Sequence, residues 1–111
     1  MSLYGNYIKE CVGWEIIEDE DSFVTYQKME NEIRIIDMFI DASCRNKGKW
    51  KVLYDKVESI ANLLDCGNIS VVINKSIPDS YQKRTSHLCL KVGMNIVYDD
   101  KFFIIFSRSL K

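Results

Sequence analysis

The chain has 111 residues, 47% of them hydrophobic and 28% charged, and its formal net charge is −1. This length and composition predict a single soluble globular domain, 1–111. The near-zero charge argues against broad electrostatic attraction to nucleic acid or to an anionic membrane. The chain also lacks an apolar run of the roughly 18 residues that a membrane helix needs.

The cysteines and the histidine are spread along the chain without a metal-binding spacing. Cys11, Cys44, Cys66 and Cys89 form no C-x-x-C pair, and with His87 they match no zinc pattern. We therefore expect reduced thiols, no metal site and a cytoplasmic location, in a bacterium or a phage-infected cell. The N-terminus has neither the basic start nor the apolar segment of a signal peptide.

The first predicted elements are a short helix and two strands. The helix runs from Leu3 to Val12, with Ser2 as its N-terminal cap and Gly13 at its end. The strands run from Trp14 to Glu18 and from Ser22 to Lys28. The helix is predicted to bury one face: Tyr4, Tyr7, Ile8 and Cys11.

An acidic run, Glu18 to Asp21, joins these two strands. Its carboxylates are consecutive, so they do not have the spacing of a calcium loop. We therefore interpret the run as a solvated hairpin tip.

The segment from Ile33 to Leu64 is the central unit of the chain. Ile33 to Asp41 is mostly apolar and rich in isoleucine, which predicts a buried strand. A basic turn with one glycine, Gly48, follows, and a helix from Gly48 to Asp65 ends near Gly67, its predicted cap. Such a turn presents free backbone N–H groups at the positive end of a helix, which favours binding of a phosphate. Four cations add positive charge there: Arg45, Lys47, Lys49 and Lys51.

The last third of the chain predicts a strand, a helix and a hairpin. Asn68 to Asn74 is a second buried strand, paired in parallel with the first through a right-handed crossover. Asp79 and Gln82 form a capping box at the start of a helix that Gly93 ends. The inner face of this helix is predicted to carry Tyr81, Thr85, Leu88, Cys89 and Val92. The two hairpin strands are predicted to run from Met94 to Tyr98 and from Phe102 to Ser107.

The order of these elements resembles the GNAT family of acetyl-CoA-dependent N-acetyltransferases over essentially the whole chain. The family turn Arg/Gln-x-x-Gly-x-Gly/Ala stands here as Arg45-Asn46-Lys47-Gly48-Lys49-Trp50. Leu88-Cys89-Leu90-Lys91-Val92-Gly93-Met94 is similar to the family's Phe-Tyr-x-Lys-x-Gly-Phe. The likeness is greatest to the very short members found in phages and bacteria. It implies an α+β fold, with a mostly antiparallel sheet, a central parallel pair and helices on both faces.

The resemblance also implies roles for individual residues. Asp37 would act as the base for the incoming amine, unless it is a carboxylate paired with a basic neighbour. Cys89 occupies the position of the tyrosine that protonates the departing CoA thiolate, and its alternative role is a small buried core residue. Acetyl-CoA would be held by three groups of residues: the backbone of Phe39 and Ile40 along the pantetheine arm, Asn74 near that arm, and Arg45, Asn46, Lys47, Gly48 and Lys49 at the pyrophosphate.

Two departures from the family pattern keep a second interpretation open. Trp50 stands where a small residue lets pyrophosphate approach the backbone, so it either obstructs the site or packs into the core. Cys89 replaces the tyrosine, and Tyr81 is predicted to lie about 12 Å farther along the helix, too far to substitute. The chain is thus expected to be an N-acetyltransferase or a non-catalytic protein with the same fold. The expected acceptor is a small-molecule or protein amine, and homodimer formation is left open.

Overall fold

The computed structural model describes residues 2–111, which form a six-stranded mixed sheet and the helices around it. The order of the strands across the sheet is β1-β2-β3-β4-β6-β5. The strands are β1 (Glu15–Glu18), β2 (Ser22–Met29), β3 (Glu32–Ile40), β4 (Asn68–Asn74), β5 (Asn95–Asp99) and β6 (Phe103–Ser109). The helices are α1 (Leu3–Tyr7), which continues into a π-helical turn (Ile8–Val12), a 3-10 turn (Ala42–Cys44), α2 (Lys49–Leu63) and α3 (Asp79–Lys91).

The pairing of the strands confirms the predicted fold class. β1, β2 and β3 form an antiparallel meander, and β3 pairs in parallel with β4. β5 and β6 form the predicted hairpin, with β6 inserted between β4 and β5. The parallel pair is therefore central, with antiparallel strands on both sides.

β3 and β4 pair over only part of their length. Their register runs from Glu32 opposite Asn68 to Ile35 opposite Val71. Beyond this point the two strands continue without pairing to each other, β3 as far as Ile40 and β4 as far as Asn74. The strands therefore diverge toward their C-terminal ends, as predicted, and leave a cleft in the middle of the sheet.

A β-bulge in β3 decides which side chains face each side of that cleft. Thr25 lies opposite Asp37 and Tyr26 opposite Ile35, so Ile36 is an extra residue on β3. The extra residue reverses the alternation of side chains along the strand. Asp37 consequently points to the opposite face from Ile35, although simple alternation would have put them together.

The hydrophobic core lies between the sheet and one face of α2. Trp50 is 8% exposed, and its indole stacks on the ring of Tyr54, with centroids 5.5 Å apart. Arg108 on β6 donates a hydrogen bond to the Tyr54 hydroxyl at 3.3 Å and forms an ion pair with Glu58 at 2.6 Å. Trp50 therefore packs into the core, as one of the two alternatives predicts, and its remaining surface borders both cavities described below. The buried residues of α2 are Trp50, Leu53, Tyr54, Val57 and Ala61.

The N-terminal helix exposes most of the face that was predicted to be buried. Ser2 accepts a hydrogen bond from the Gly5 N–H, and Gly13 ends the segment in the left-handed conformation, both as expected. Ile8 is buried, but Tyr4, Tyr7 and Cys11 are exposed. A sequence pattern cannot show that the sheet covers only part of this short helix.

Two predicted helix ends are wrong in detail. Gly67 does not end α2, because Leu64 is the C-cap; Gly67 instead donates its N–H to the backbone and side-chain oxygens of Asn31. Asp79 is not the N-cap of α3, because Pro78 takes that position. Gln82 donates its side-chain amide to carbonyls of the preceding loop, so no capping box forms.

The bulge yields a test of stability. Thr25 is fully buried, and its Oγ1 accepts the Asp37 N–H at 3.1 Å. Thr25→Val should leave that N–H unpaired and lower the free energy of unfolding by about 1–3 kcal/mol. Thr25→Ser is the matched control, because it keeps the hydroxyl and should lose about 1 kcal/mol for the missing methyl group. Urea denaturation measures both variants, and a smaller loss for Val than for Ser would contradict this role of the hydroxyl.

Candidate functional site

The cleft between the diverging strands forms a cavity of about 590 Å³. Its walls come from the unpaired ends of β3 and β4, from the start of α2 and from the N-terminal half of α3. Most of the lining is apolar, and Asp37 is the charged side chain in it. The polar lining residues are Asp37, Asn74, Tyr81 and Thr85.

A second cavity of about 740 Å³ adjoins the first on the side of the basic turn. It lies between the turn at 45–49 and α3, and it has more polar and charged lining residues than the cleft. The two cavities share four lining residues, so they form one continuous site: Met38, Trp50, Tyr81 and Thr85.

The basic turn has the backbone geometry of an anion site. Gly48 is the N-cap of α2, and both Gly48 (φ 77°) and Asn46 (φ 63°) are left-handed. No atom lies within 4 Å of the position that a Cβ on Gly48 would occupy, so the backbone is open to an approaching group. Within the described part of the chain, the N–H groups of 46–49 have no hydrogen-bond acceptor. They are therefore available to a ligand at the positive end of the helix.

The side-chain charge of this turn is smaller than the sequence suggests. Lys49 forms ion pairs with Asp19 at 2.9 Å and Asp21 at 3.1 Å, in the β1–β2 turn. These hydrogen bonds raise the pKa of Lys49 and lower that of Asp19. Lys51 pairs with Asp55 at 2.6 Å, while Lys47 has no carboxylate partner among residues 2–111. The acidic run is thus partly neutralised by Lys49, which the sequence did not indicate.

Arg45 lies across the mouth of the cleft. Its Nε–H donates to the Ile40 carbonyl at 2.9 Å, and its Nη2 donates to the Tyr81 hydroxyl. The guanidinium also lies over two aromatic rings, 5.5 Å from the centroid of Phe39 and 4.9 Å from that of Tyr81. Arg45 therefore connects the end of β3 to α3 at the point where the two cavities meet.

Asp37 lines the cleft on the face of the sheet that carries Phe23 and Phe39. Partial desolvation raises the pKa of its carboxyl group from the ordinary aspartate value. The pKa of the Tyr4 hydroxyl in α1 is raised by burial and, to a smaller extent, by the charge of the Asp37 carboxylate. Among residues 2–111 no cation forms an ion pair with Asp37, so the alternative of a structural pair is not what the structure contains.

Three more of the predicted cofactor-binding residues line the two cavities: Asn74, Phe39 and Ile40. Asn74 ends β4 and lines the cleft, where its Oδ1 accepts the Ser76 N–H at 2.8 Å. Phe39 lines the same cavity, and Ile40 lines the adjoining one. The structure thus brings together Asp37, Asn74, the end of β3 and the basic turn.

Cys89 is separated from this group, and Tyr81 joins it. Cys89 is fully buried, lines neither cavity, and burial raises the pKa of its thiol to about 12. Tyr81 lines both cavities, which the sequence analysis missed. It was correctly placed on the inner face of α3, but the sequence does not show that the first turns of this helix, rather than its last, border the cleft. His87 is exposed and lines the outer cavity.

Residues 2–111 contain neither a membrane-spanning helix nor a cluster of metal ligands. No helix in the described 2–111 range is long and apolar enough to cross a membrane. The same residues bring no group of three or more His, Cys, Asp or Glu side chains into a metal-binding arrangement.

Comparison with solved structures identifies the fold. A PaiA N-acetyltransferase from Thermoplasma acidophilum, in complex with coenzyme A, aligns with 80% of this chain at 13% identity and a TM-score of 0.67. A GNAT-family protein from Desulfovibrio desulfuricans aligns with 96% at 11% identity and a TM-score of 0.71. The structure of yncA from Salmonella typhimurium with acetyl-CoA aligns with 93% at 9% identity and a TM-score of 0.67.

These similarities have limits of length and sequence. The aligned part covers 53% of the PaiA chain, 76% of the Desulfovibrio chain and 68% of yncA. This chain therefore spans about half the length of the PaiA structure. No protein-family model and no curated protein sequence matches the chain.

A mixed sheet whose central parallel strands diverge beside a glycine turn and a helix N-terminus defines the acyl-CoA N-acyltransferase fold. Within that class, the solved structures show that this chain has the fold of the GNAT acetyltransferases. The predicted resemblance is confirmed at the level of the fold.

The raised pKa of Asp37 gives a pH-dependent test. When a carboxyl group has a higher pKa in the folded than in the unfolded protein, the free energy of unfolding falls as pH rises from the unfolded-state pKa to the folded-state pKa. Asp37→Asn removes this titration. The stability of wild type relative to the variant should therefore fall as pH rises above about 4, the usual pKa of an aspartate in an unfolded chain. Urea denaturation across this range measures the difference, and a constant difference would contradict the shift.

Proposed function

We propose that this chain is an acetyl-CoA-dependent N-acetyltransferase that transfers the acetyl group to an amine by direct attack. The observation that carries the proposal is the continuous site formed by the β3–β4 cleft and the basic turn, where the N–H groups of 46–49 have no acceptor among residues 2–111. The PaiA and yncA structures, which share the fold, contain coenzyme A and acetyl-CoA. The chain's free cysteines accord with the reducing cytoplasm.

The two cavities match the two ends of acetyl-CoA. The pyrophosphate would accept hydrogen bonds from the N–H groups of 46–49, supported by the charge of Lys47. The pantetheine arm would then pair with the free edge of β3 beyond Ile35, including the backbone of Phe39 and Ile40, in the manner of an added strand. Its amide groups would come close to Asn74, on the opposite wall of the cleft.

Binding of the pantetheine arm requires Arg45 to move. The Ile40 carbonyl, which an added strand would need, accepts the Arg45 Nε–H in the structure. A bound pyrophosphate offers this guanidinium a stronger, charge-assisted partner than a neutral carbonyl. We therefore propose that Arg45 turns from the Ile40 carbonyl to the phosphate when the cofactor enters.

Asp37 would act as the base of the reaction. Its raised pKa makes this carboxylate a stronger base than an ordinary aspartate, which favours proton acceptance from the amine. The amine nitrogen attacks the thioester carbonyl, so a C–N bond forms and the C–S bond breaks. The nitrogen loses its proton to Asp37, and the sulphur leaves as CoA thiolate, which is then protonated.

Tyr81 is a better candidate than Cys89 for the protonation of this thiolate. The Cys89 thiol is fully buried and lines neither cavity. The Tyr81 phenol lies where the cavities meet, and it accepts a hydrogen bond from Arg45, which leaves its own proton free to be donated. Direct donation to the sulphur would make Tyr81 the general acid.

A non-catalytic binding protein with the same fold is the second candidate. The observation that favours it is the Arg45 bridge, which occupies the end of β3 and joins it to α3. If this bridge is permanent, the edge of β3 stays closed to pantetheine.

The basic turn provides the first test of the proposal. Gly48→Val forces a branched side chain into the left-handed conformation and should distort the N–H groups that face the pyrophosphate. Lys47→Ala removes one exposed charge and leaves that backbone intact. Calorimetric titration with CoA should therefore show a larger loss of affinity for Gly48→Val than for Lys47→Ala. Equal losses would argue for a plain basic patch, and no binding to the wild-type protein would end the catalytic proposal.

Tyr81→Phe tests the identity of the acid. Removal of a general acid lowers kcat by roughly 10²- to 10⁴-fold. Cys89→Ser is the matched control on the same helix; it should lower stability and leave kcat close to that of wild type. The release of CoA from acetyl-CoA in the presence of a primary amine measures kcat. A large loss for Cys89→Ser in a folded protein, with none for Tyr81→Phe, would restore the role that the sequence assigned to Cys89.

A further inference from the structure

We infer that the acceptor of this site is a primary amine attached to an aromatic or bulky apolar group, which the aromatic side chains beside Asp37 would hold. This inference rests on the proposed function, since it names the class of substrate for the same cleft. It goes beyond that function because nothing in an acetyltransferase fold fixes the acceptor.

Aromatic side chains line the same face of the sheet as the proposed base. Phe23 on β2 is paired with Phe39 on β3, one cross-strand position along the same face from the pair of Thr25 and Asp37. The rings of Phe23 and Phe39 are stacked, with centroids 6.2 Å apart. The ring of Tyr4 contacts the edge of Phe23 at 5.7 Å. The three rings form an aromatic wall that ends at the Asp37 carboxylate.

This aromatic wall, defined by Tyr4, Phe23 and Phe39, is accessible from the cleft and from solvent. Phe39 is 43% exposed and Tyr4 is 44% exposed. Phe23 and Phe39 line the 590 Å³ cavity together with Asp37. A flat apolar group could pack against the exposed parts of these rings, with its amine on the face of the sheet that carries the Asp37 carboxylate.

The charge in the lining of the cleft suits an acceptor that carries a single ammonium group. Asp37 is the charged side chain in the lining of the 590 Å³ cavity, and most of its other lining residues are apolar. An ammonium group there would meet one carboxylate and the faces of nearby rings, both of which attract a cation. A second ammonium group deeper in this cavity would find no opposite charge.

The acidic run beyond the aromatic wall forms a separate surface that can attract a cation. With Asp41, Phe23 and Phe39 it lines another cavity, of about 490 Å³. Asp19 and Asp21 are already paired with Lys49. Glu18 accepts hydrogen bonds from the Ser2 N–H and hydroxyl, and Asp41 accepts the Ser43 N–H at 3.1 Å. Lys49 is the one cation among these partners, and Glu20 has no ion pair among residues 2–111. A polyamine would therefore be attracted to the acidic run, whereas an apolar amine needs only the exposed rings and Asp37, so spermidine distinguishes the two surfaces.

The experiment compares three acceptors after CoA binding has been established by calorimetry. Release of CoA from acetyl-CoA is measured with 2-phenylethylamine, n-propylamine and spermidine as the acceptors. We expect kcat/KM to be about tenfold higher for 2-phenylethylamine than for either other amine, the size of an aromatic contact.

Variants of Phe23 connect this preference to the aromatic wall. Phe23→Ala should lower the ratio of kcat/KM for 2-phenylethylamine to that for n-propylamine by about tenfold. Phe23→Leu keeps the apolar contact without the ring face, so it should lower the ratio less and serves if the alanine variant does not fold. Phe102→Ala removes an exposed ring on the β5–β6 hairpin, outside both cavities, and should leave the ratio unchanged.

The possible results distinguish a failure of this inference from a failure of the proposed function. CoA binding and acetylation without a preference for 2-phenylethylamine, or with a preference for spermidine, would overturn the inference and leave the function intact. A preference that folded Phe23 variants do not change would also overturn it. CoA binding without acetylation of any amine, or no CoA binding, would overturn both.

Discussion

The short pairing between β3 and β4 is the constraint on which the site depends. The two strands share a register only from Glu32 opposite Asn68 to Ile35 opposite Val71. Backbone N–H and C=O groups are obligatory hydrogen-bonding groups, so a strand that loses its neighbour presents unpaired groups to whatever fills the gap. In this chain the gap is a cavity, which the basic turn adjoins because it follows directly after β3. A fully paired sheet would have neither the cleft nor the free strand edge.

The bulge at Ile36 directs neighbouring side chains of β3 to the two faces of the sheet, which have different proposed roles. It keeps Ile35 in the core and directs Asp37 to the opposite face, beside the rings of Phe23 and Phe39. The proposed cofactor side then faces α2 and α3, while the proposed acceptor side faces the aromatic wall. One inserted residue thus allows a carboxylate with a raised pKa to lie at the boundary between them without occupying the core.

Arg45 connects the end of β3 to α3 beside the cleft. It bridges Ile40 and Tyr81 and lies over the rings of Phe39 and Tyr81. This arrangement gives the Ile40 carbonyl, at the end of β3, a hydrogen-bond donor. An anion bound at the N–H groups of the turn would attract this guanidinium as well as Lys47, which has no carboxylate partner among residues 2–111.

The sequence by itself determined the order of the elements, the parallel crossover and the glycine turn, because hydrophobic periodicity and turn residues are local signals. The resemblance to the GNAT family pointed to Asp37, Asn74 and the 45–49 turn, which the structure brings to the two adjoining cavities. Only the tertiary structure decided that Cys89 is buried while Tyr81 reaches the cleft, because that depends on how α3 packs on the sheet. It alone showed that Lys49 is neutralised by the acidic turn, a contact between distant segments that no spacing along the chain encodes.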